Sequence, residues 1–153
     1  MPSMSLNVPL LAQNNHADCL PTCIAMVLTF FGQSVSRDWL KQVLETTPIG
    51  TPGFKVLNLR EHGYDVVYGA AVNERPLAEA LADRVPPIAL VYTSGLPYWQ
   101  RETAHAVVVV EFGEQVALND PAFPAQPQRV SRDAFMLAWS EFDYLYAVIR
   151  PAR

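Results

Sequence analysis

The run Cys-Leu-Pro-Thr-Cys-Ile-Ala-Met-Val-Leu-Thr-Phe-Phe between Asp18 and Gly32 constrains the fold most. Aspartate is a favoured helix N-cap, proline suits a first turn and glycine a C-cap. The pattern therefore predicts a helix over 19–31. Nearly every position on it is apolar or small, and a helix that is apolar all round is buried all round. The rest of the chain must wrap it. Its longest apolar stretch, Ile24 to Phe31 interrupted by Thr29, is too short to cross a bilayer.

Caps and periodicity predict the remaining elements. Ser36 opens a helix over 37–46, with Trp39, Leu40, Val43 and Leu44 inward. Thr51-Pro52 opens a third helix that ends at Gly63. A strand over Tyr64–Tyr68, a helix over 76–84 begun by Pro76, and a strand over Ile88–Tyr92 follow. Residues 93–103 read as a loop carrying Gly95, Pro97, Tyr98 and Trp99. Strands over 105–111 and 115–119, a proline-rich loop over 120–130, a helix capped by Ser131 and a strand over 143–149 complete the chain. Helices dominate the first half and strands the second, which is an α+β pattern. A length of 153 residues suits one domain spanning 1–153.

Composition removes several function classes. Half the residues are hydrophobic and 17% are charged, which excludes disorder. The net charge is −4 and the 11 basic residues do not cluster, so no nucleic-acid partner is expected. The first 13 residues lack a charged segment and a long apolar core, so neither a signal peptide nor membrane insertion is expected. Two cysteines, Cys19 and Cys23, make no disulfide framework and point to the cytoplasm.

Chemistry gathers at three places. Cys19 follows the expected cap, where unpaired helix N–H groups and the macrodipole favour an anion. It is the candidate nucleophile, with Cys23 a small core side chain one turn deeper. Gln13 lies six residues before Cys19. Alone it reads as part of a polar surface loop, as does His16. Beside a nucleophile, its amide suits an oxyanion, with the Cys19 backbone N–H as second donor. His62, Trp39 and Trp139 read as structural.

The third place is a hairpin. His105-Ala-Val-Val-Val-Val, a turn at Phe112-Gly113, and Gln-Val-Ala-Leu-Asn-Asp120 form its two arms. A symmetric turn puts His105 opposite Asp120, Val107 opposite Leu118 and Val109 opposite Val116. Opposed residues share a face, so an imidazole and a carboxylate come side by side. Tyr98 and Trp99, just before His105, are candidate walls of a substrate cleft. A metal site from Cys19, Cys23 and a histidine fits poorly, because the cysteine spacing with Pro21 between is wrong for zinc. No metal and no organic cofactor is expected.

Gln13-Asn-Asn-His-Ala-Asp18-Cys19 with its apolar helix, His105 with its valine strand, and Asn119-Asp120-Pro121 together resemble the bacteriocin-processing peptidases. These are papain-like cysteine peptidases that cut after a double-glycine leader. The resemblance covers about residues 10–150. It implies a papain-like fold with a helical N-terminal half on an antiparallel sheet. It implies Cys19 as nucleophile, His105 as base and acid, Asp120 as orienting carboxylate, and Gln13 in the oxyanion hole. The implied partner is a peptide or protein substrate. Leu20 stands where family members often carry glycine, which places a side chain in the cleft. Many members are fused to an exporter, and association with a separate one is left open. An acyl-transfer variant (isopeptidase, deamidase or transglutaminase-like) shares the same first half-reaction. An idle domain that only binds a leader or partner is the rival of another class.

Overall fold

The computed structural model describes residues 5–151. The signal-peptide reading also involves residues 1–4, which lie outside them. Among the described residues, no helix is long and apolar enough to cross a membrane.

The apolar run forms α1, Cys19–Phe30, and its positions from Leu20 to Leu28 are all buried. It ends as expected. Gly32 adopts φ +83°, its N–H meets the Thr29 carbonyl, and the Gln33 N–H reaches back to Leu28. That is a Schellman ending, for which the left-handed residue is usually glycine. The start differs from expectation. Asp18 makes no side-chain cap; a 3₁₀ turn, His16–Asp18, runs directly into α1. The cap sits one turn earlier, where the Asn15 side chain accepts from the Ala17 N–H at 2.9 Å. Asp18 is buried and meets Lys41 Nζ at 3.2 Å, which fastens α2, Arg37–Val43, to the start of α1. Helix α2 closes three residues earlier than expected, because Glu45 enters the left-handed region at φ 55°.

The segment before Gly63 is a 3₁₀ helix, Gly53–His62, rather than an α-helix. Next come β1, Asp65–Ala70; α3, Arg75–Ala82; and β2, Ile88–Tyr92, whose bounds match the sequence reading. Strands β3, Ala104–Phe112, and β4, Gln115–Asn119, form the hairpin. Strand β5, Gln128–Ser131, lies inside the expected proline-rich loop, since pairing with β4 begins just past Pro127. Ser131 then caps α4, Arg132–Ser140, which leads to β6, Leu145–Arg150.

All six strands join one antiparallel sheet in the order β1-β6-β2-β3-β4-β5. Strand β3 lies in its interior, and every residue from His105 to Val110 is buried. A strand buried on both faces needs cover on both faces, and α1 and α3 both pack against it. The sheet edge at β1 is blunted by Arg60, whose guanidinium donates to the Val66 carbonyl at 2.8 and 3.2 Å.

The hairpin register corrects the symmetric-turn expectation. Phe112, not Val109, lies opposite Val116, and Val109, not Val107, lies opposite Leu118. Between them the register shifts by one at Val110, a β-bulge. The unbulged register from Phe112–Val116 would put Asp120 on the face away from His105. The bulge returns it to the His105 face, as a diagonal rather than a direct neighbour, still within side-chain reach. The bulged carbonyl is used: Val110 accepts from the Leu6 N–H at 2.8 Å.

A second close fit holds the loop before His105. A Cβ at Gly95 would lie 2.8 Å from the backbone nitrogen of Ala138 in α4. Gly95→Ala is expected to destabilise the chain by about 1–3 kcal/mol, the usual cost of overpacking. Urea unfolding of the two proteins, compared by midpoint at constant slope, checks this.

Candidate active site

Helix α1, strand β3 and the end of β4 converge on one point. His105 and Asp120 are 5% and 0% exposed. Nε2 of His105 lies 2.7 Å from Asp120 Oδ1. The Cys19 side chain is half-exposed at the start of α1 and adjoins the same imidazole, with which it lines one cavity. The three side chains picked out by sequence thus form one chain of contacts, Cys19 to His105 to Asp120.

Asp120 carries more partners than sequence reasoning assigned. Its Oδ1 also accepts from the Ala122 N–H at 2.9 Å. Its Oδ2 accepts from the Tyr98 hydroxyl at 2.7 Å and from the Trp99 indole N–H at 2.9 Å. Tyr98 and Trp99 were expected as walls of a substrate cleft; their polar ends instead clamp the acid. Trp99 also packs edge-on to the His105 ring at 4.8 Å, and Phe123 meets both Tyr98 and Trp99 at 5.0 and 5.2 Å. These rings hold water away from the His105–Asp120 bond. Phe123 carried no signal beyond lying after the Asn-Asp-Pro turn.

The clamp is set by Thr93, which is buried. Its hydroxyl donates to the Arg101 carbonyl at 2.6 Å and accepts from the Thr103 N–H at 2.9 Å. One threonine thereby closes the base of the 93–103 loop and aims Tyr98 and Trp99 inward. A threonine in a loop has no local pattern that announces this.

Gln13 is tied to the acid's turn, its N–H donating to the Pro121 carbonyl at 2.9 Å. Its side-chain amide has no partner within the protein, and Oε1 is buried. It lines a cavity of about 550 Å³ with His16, Trp99 and Phe123. A second cavity, of about 410 Å³, is lined by Cys19, Leu20, His105, His16 and Arg101. Leu20 therefore faces the cleft as expected, whereas Tyr98 lines neither cavity. His16 lines both, so it is more than a surface loop residue. Among the described residues, no cluster of three histidine, cysteine or acidic side chains is placed to hold a metal.

Charge follows from this packing. Burial works against a charged His105, but its hydrogen bonds to Asp120 and Cys19 outweigh that and push its pKa up to about 9. Burial likewise opposes a charged Asp120, and the bonds from His105, Tyr98 and Ala122 hold it below the ordinary carboxylate range. Burial pushes the Cys23 thiol well up, and Cys19 and Asp120 add to the effect. Cys23 is thus a neutral core side chain.

The sequence matches the model of the Peptidase_C39 like family over residues 5–147. The chain belongs to that family. It is thereby related to cysteine peptidases. No curated protein matches the sequence. Solved C39-like structures share its fold. A structure described as a C39-like peptidase from Bacillus anthracis is 16% identical, with TM-score 0.80 and full coverage of both chains. The peptidase domain of Streptococcus ComA, a bifunctional ABC transporter of a quorum-sensing pathway, is 22% identical. Its TM-score is 0.73 over 95% of this chain and 99% of that one. A double glycine motif protease from an AMS/PCAT transporter, solved with the leader peptide, is 18% identical. Its TM-score is 0.74 over 99% and 100%.

A stability prediction follows from the raised His105. Its folded pKa lies above the unfolded value near 6.5, so its stabilising effect is complete below about pH 6.5. That effect is lost as the pH rises through about 9. Urea unfolding should show a loss on the order of 2–3 kcal/mol between pH 6.5 and 9.5. His105→Gln should flatten that limb of the profile.

Proposed function

We propose that the chain is a cysteine peptidase that hydrolyses peptide bonds through a thioester. The observation that carries this reading is His105, held between Cys19 and the buried Asp120 carboxylate. Each contact matches one task. A carboxylate on one imidazole nitrogen fixes the ring and favours its charged form. The charged ring beside Cys19 holds a proton ready for the leaving amine.

In this mechanism the Cys19 sulfur attacks the substrate carbonyl. The Cys19 backbone N–H and the Gln13 amide stabilise the oxyanion. His105 protonates the departing amine, and the thioester forms. Water then attacks the thioester, with His105 taking its proton, and Cys19 is released. Asp120 stays ionised throughout and orients the ring. Tyr98, Trp99 and Phe123 act as positioning residues that keep the Asp120–His105 bond dry.

The double-glycine leader is the first substrate class to test. One solved relative is described as a double glycine motif protease in complex with its leader. The Gln13 side chain makes no hydrogen bond within the protein, so its N–H₂ is free to donate to an oxyanion.

Iodoacetamide labelling at pH 6, resolved by peptide mapping, is expected to modify Cys19 rapidly and Cys23 hardly at all in the folded protein. His105→Ala should abolish the Cys19 advantage. Labelling of Cys19 no faster than a free thiol would remove the nucleophile from the reading. Where a double-glycine peptide is cleaved, Gln13→Ala should lower turnover by about 10²–10³ while leaving Cys19 labelling unchanged.

A further inference from the structure

We propose that Arg101 pairs with a carboxylate that the substrate carries near the bond to be cut. The inference rests on the peptidase reading of Cys19 and names a substrate feature for the same site.

The groove beside Cys19 and His105 is largely apolar, walled by Leu20, Leu90, Ile49 and Phe142. Ile49 is 98% exposed at the tip of the turn between Thr47 and Gly50, so it stands over the groove without a partner. No aspartate or glutamate lines the groove, and Arg101 is the only lysine or arginine that does. This cation stands apart from others in the chain. Arg75, Arg129, Arg132 and Arg150 each meet an acid. Arg101 meets the ring of His16 instead, its Nη1 lying 2.9 Å from Nε2. An arginine can only donate, so the His16 Nε2 is the acceptor in this contact.

Position gives the pair its meaning. Arg101 lies four residues before His105, and His16 three residues before Cys19. His16 lines both cavities. The guanidinium lines the one that holds Cys19 and His105. Its fork matches a carboxylate in two parallel hydrogen bonds, and a single imidazole nitrogen satisfies only part of it. The chain as a whole is net negative, at −4, so a cation lining this groove is not part of a general positive field. A carboxylate arriving at Arg101 exchanges for His16, while an adjoining apolar side chain takes the groove under Ile49.

The test compares alkylation of Cys19 by iodoacetate, an anion, with alkylation by iodoacetamide, its neutral counterpart. Wild type, Arg101→Gln and Arg101→Lys are used at low ionic strength, with the modified cysteine identified by mass. The iodoacetate-to-iodoacetamide rate ratio should fall about 2- to 5-fold in Arg101→Gln, the range of an exposed ion pair. It should be largely kept in Arg101→Lys. Acetyl-Glu-Gly-Gly and acetyl-Gln-Gly-Gly chloromethyl ketones extend the test to peptides that end in a double glycine. The glutamyl probe should react faster with wild type, and Arg101→Glu should reverse that order. An unchanged ratio and no glutamyl preference, with Cys19 still fast towards iodoacetamide, would overturn the proposal alone. Slow iodoacetamide labelling of wild-type Cys19 would overturn the peptidase reading and this inference together.

Discussion

A carboxylate with no exposed surface organises this molecule. Burying the charge of Asp120 is costly unless every lone pair finds a donor. Four donors meet it, from His105, Tyr98, Trp99 and the Ala122 backbone. They come from a strand, a loop and the acid's own turn, so those segments must arrive together. The sheet fixes His105, and Thr93 fixes the loop. The bond from Gln13 to Pro121 then ties the segment ahead of Cys19 to the same centre. The geometry of the Cys19–His105–Asp120 site and the satisfaction of one buried charge are a single requirement here.

The same packing separates two thiols that lie one helical turn apart. Cys19 stands at the mouth of a cleft with an imidazole on its sulfur. Cys23 is fully enclosed, and its surroundings oppose ionisation. Helix position alone does not make this difference. It arises because α1 runs from the cleft straight into the core, so one turn of helix crosses from solvent to hydrocarbon.

Much of this was legible in the residues. The apolar run with its glycine stop gave α1, and the alternation and turn residues gave β2 and the hairpin. Cys19 and His105 with Asp120 stood out through helix position and strand pairing. What was not legible depends on contacts between distant segments. The bulged Val110 carbonyl meets the Leu6 N–H, more than a hundred residues away in sequence. Strand β5 hides in a proline-rich stretch because only its pairing with β4 makes it a strand. Asp18 has the residue type of a cap, yet its side chain is drawn off by Lys41. Tyr98 and Trp99 were placed in the right loop, but their bonds to the acid were not foreseen, because an aromatic near a site can present either its face to a cavity or its polar end to an acid.

The bulge also sets a rule for how genes of this kind can change length. A strand alternates its faces, so Asp120 shares a side with His105 only for one parity of the residues aligned between them. Val110 supplies the odd residue that makes the parity right. A single-codon insertion or deletion in either arm, unless the turn absorbs it, carries the acid to the far side of the sheet while leaving the hydrophobic pattern of each arm almost intact. Changes of two codons keep it in place. The hairpin can therefore lengthen or shorten in descent by even steps, and an odd step removes the acid from the imidazole in one event.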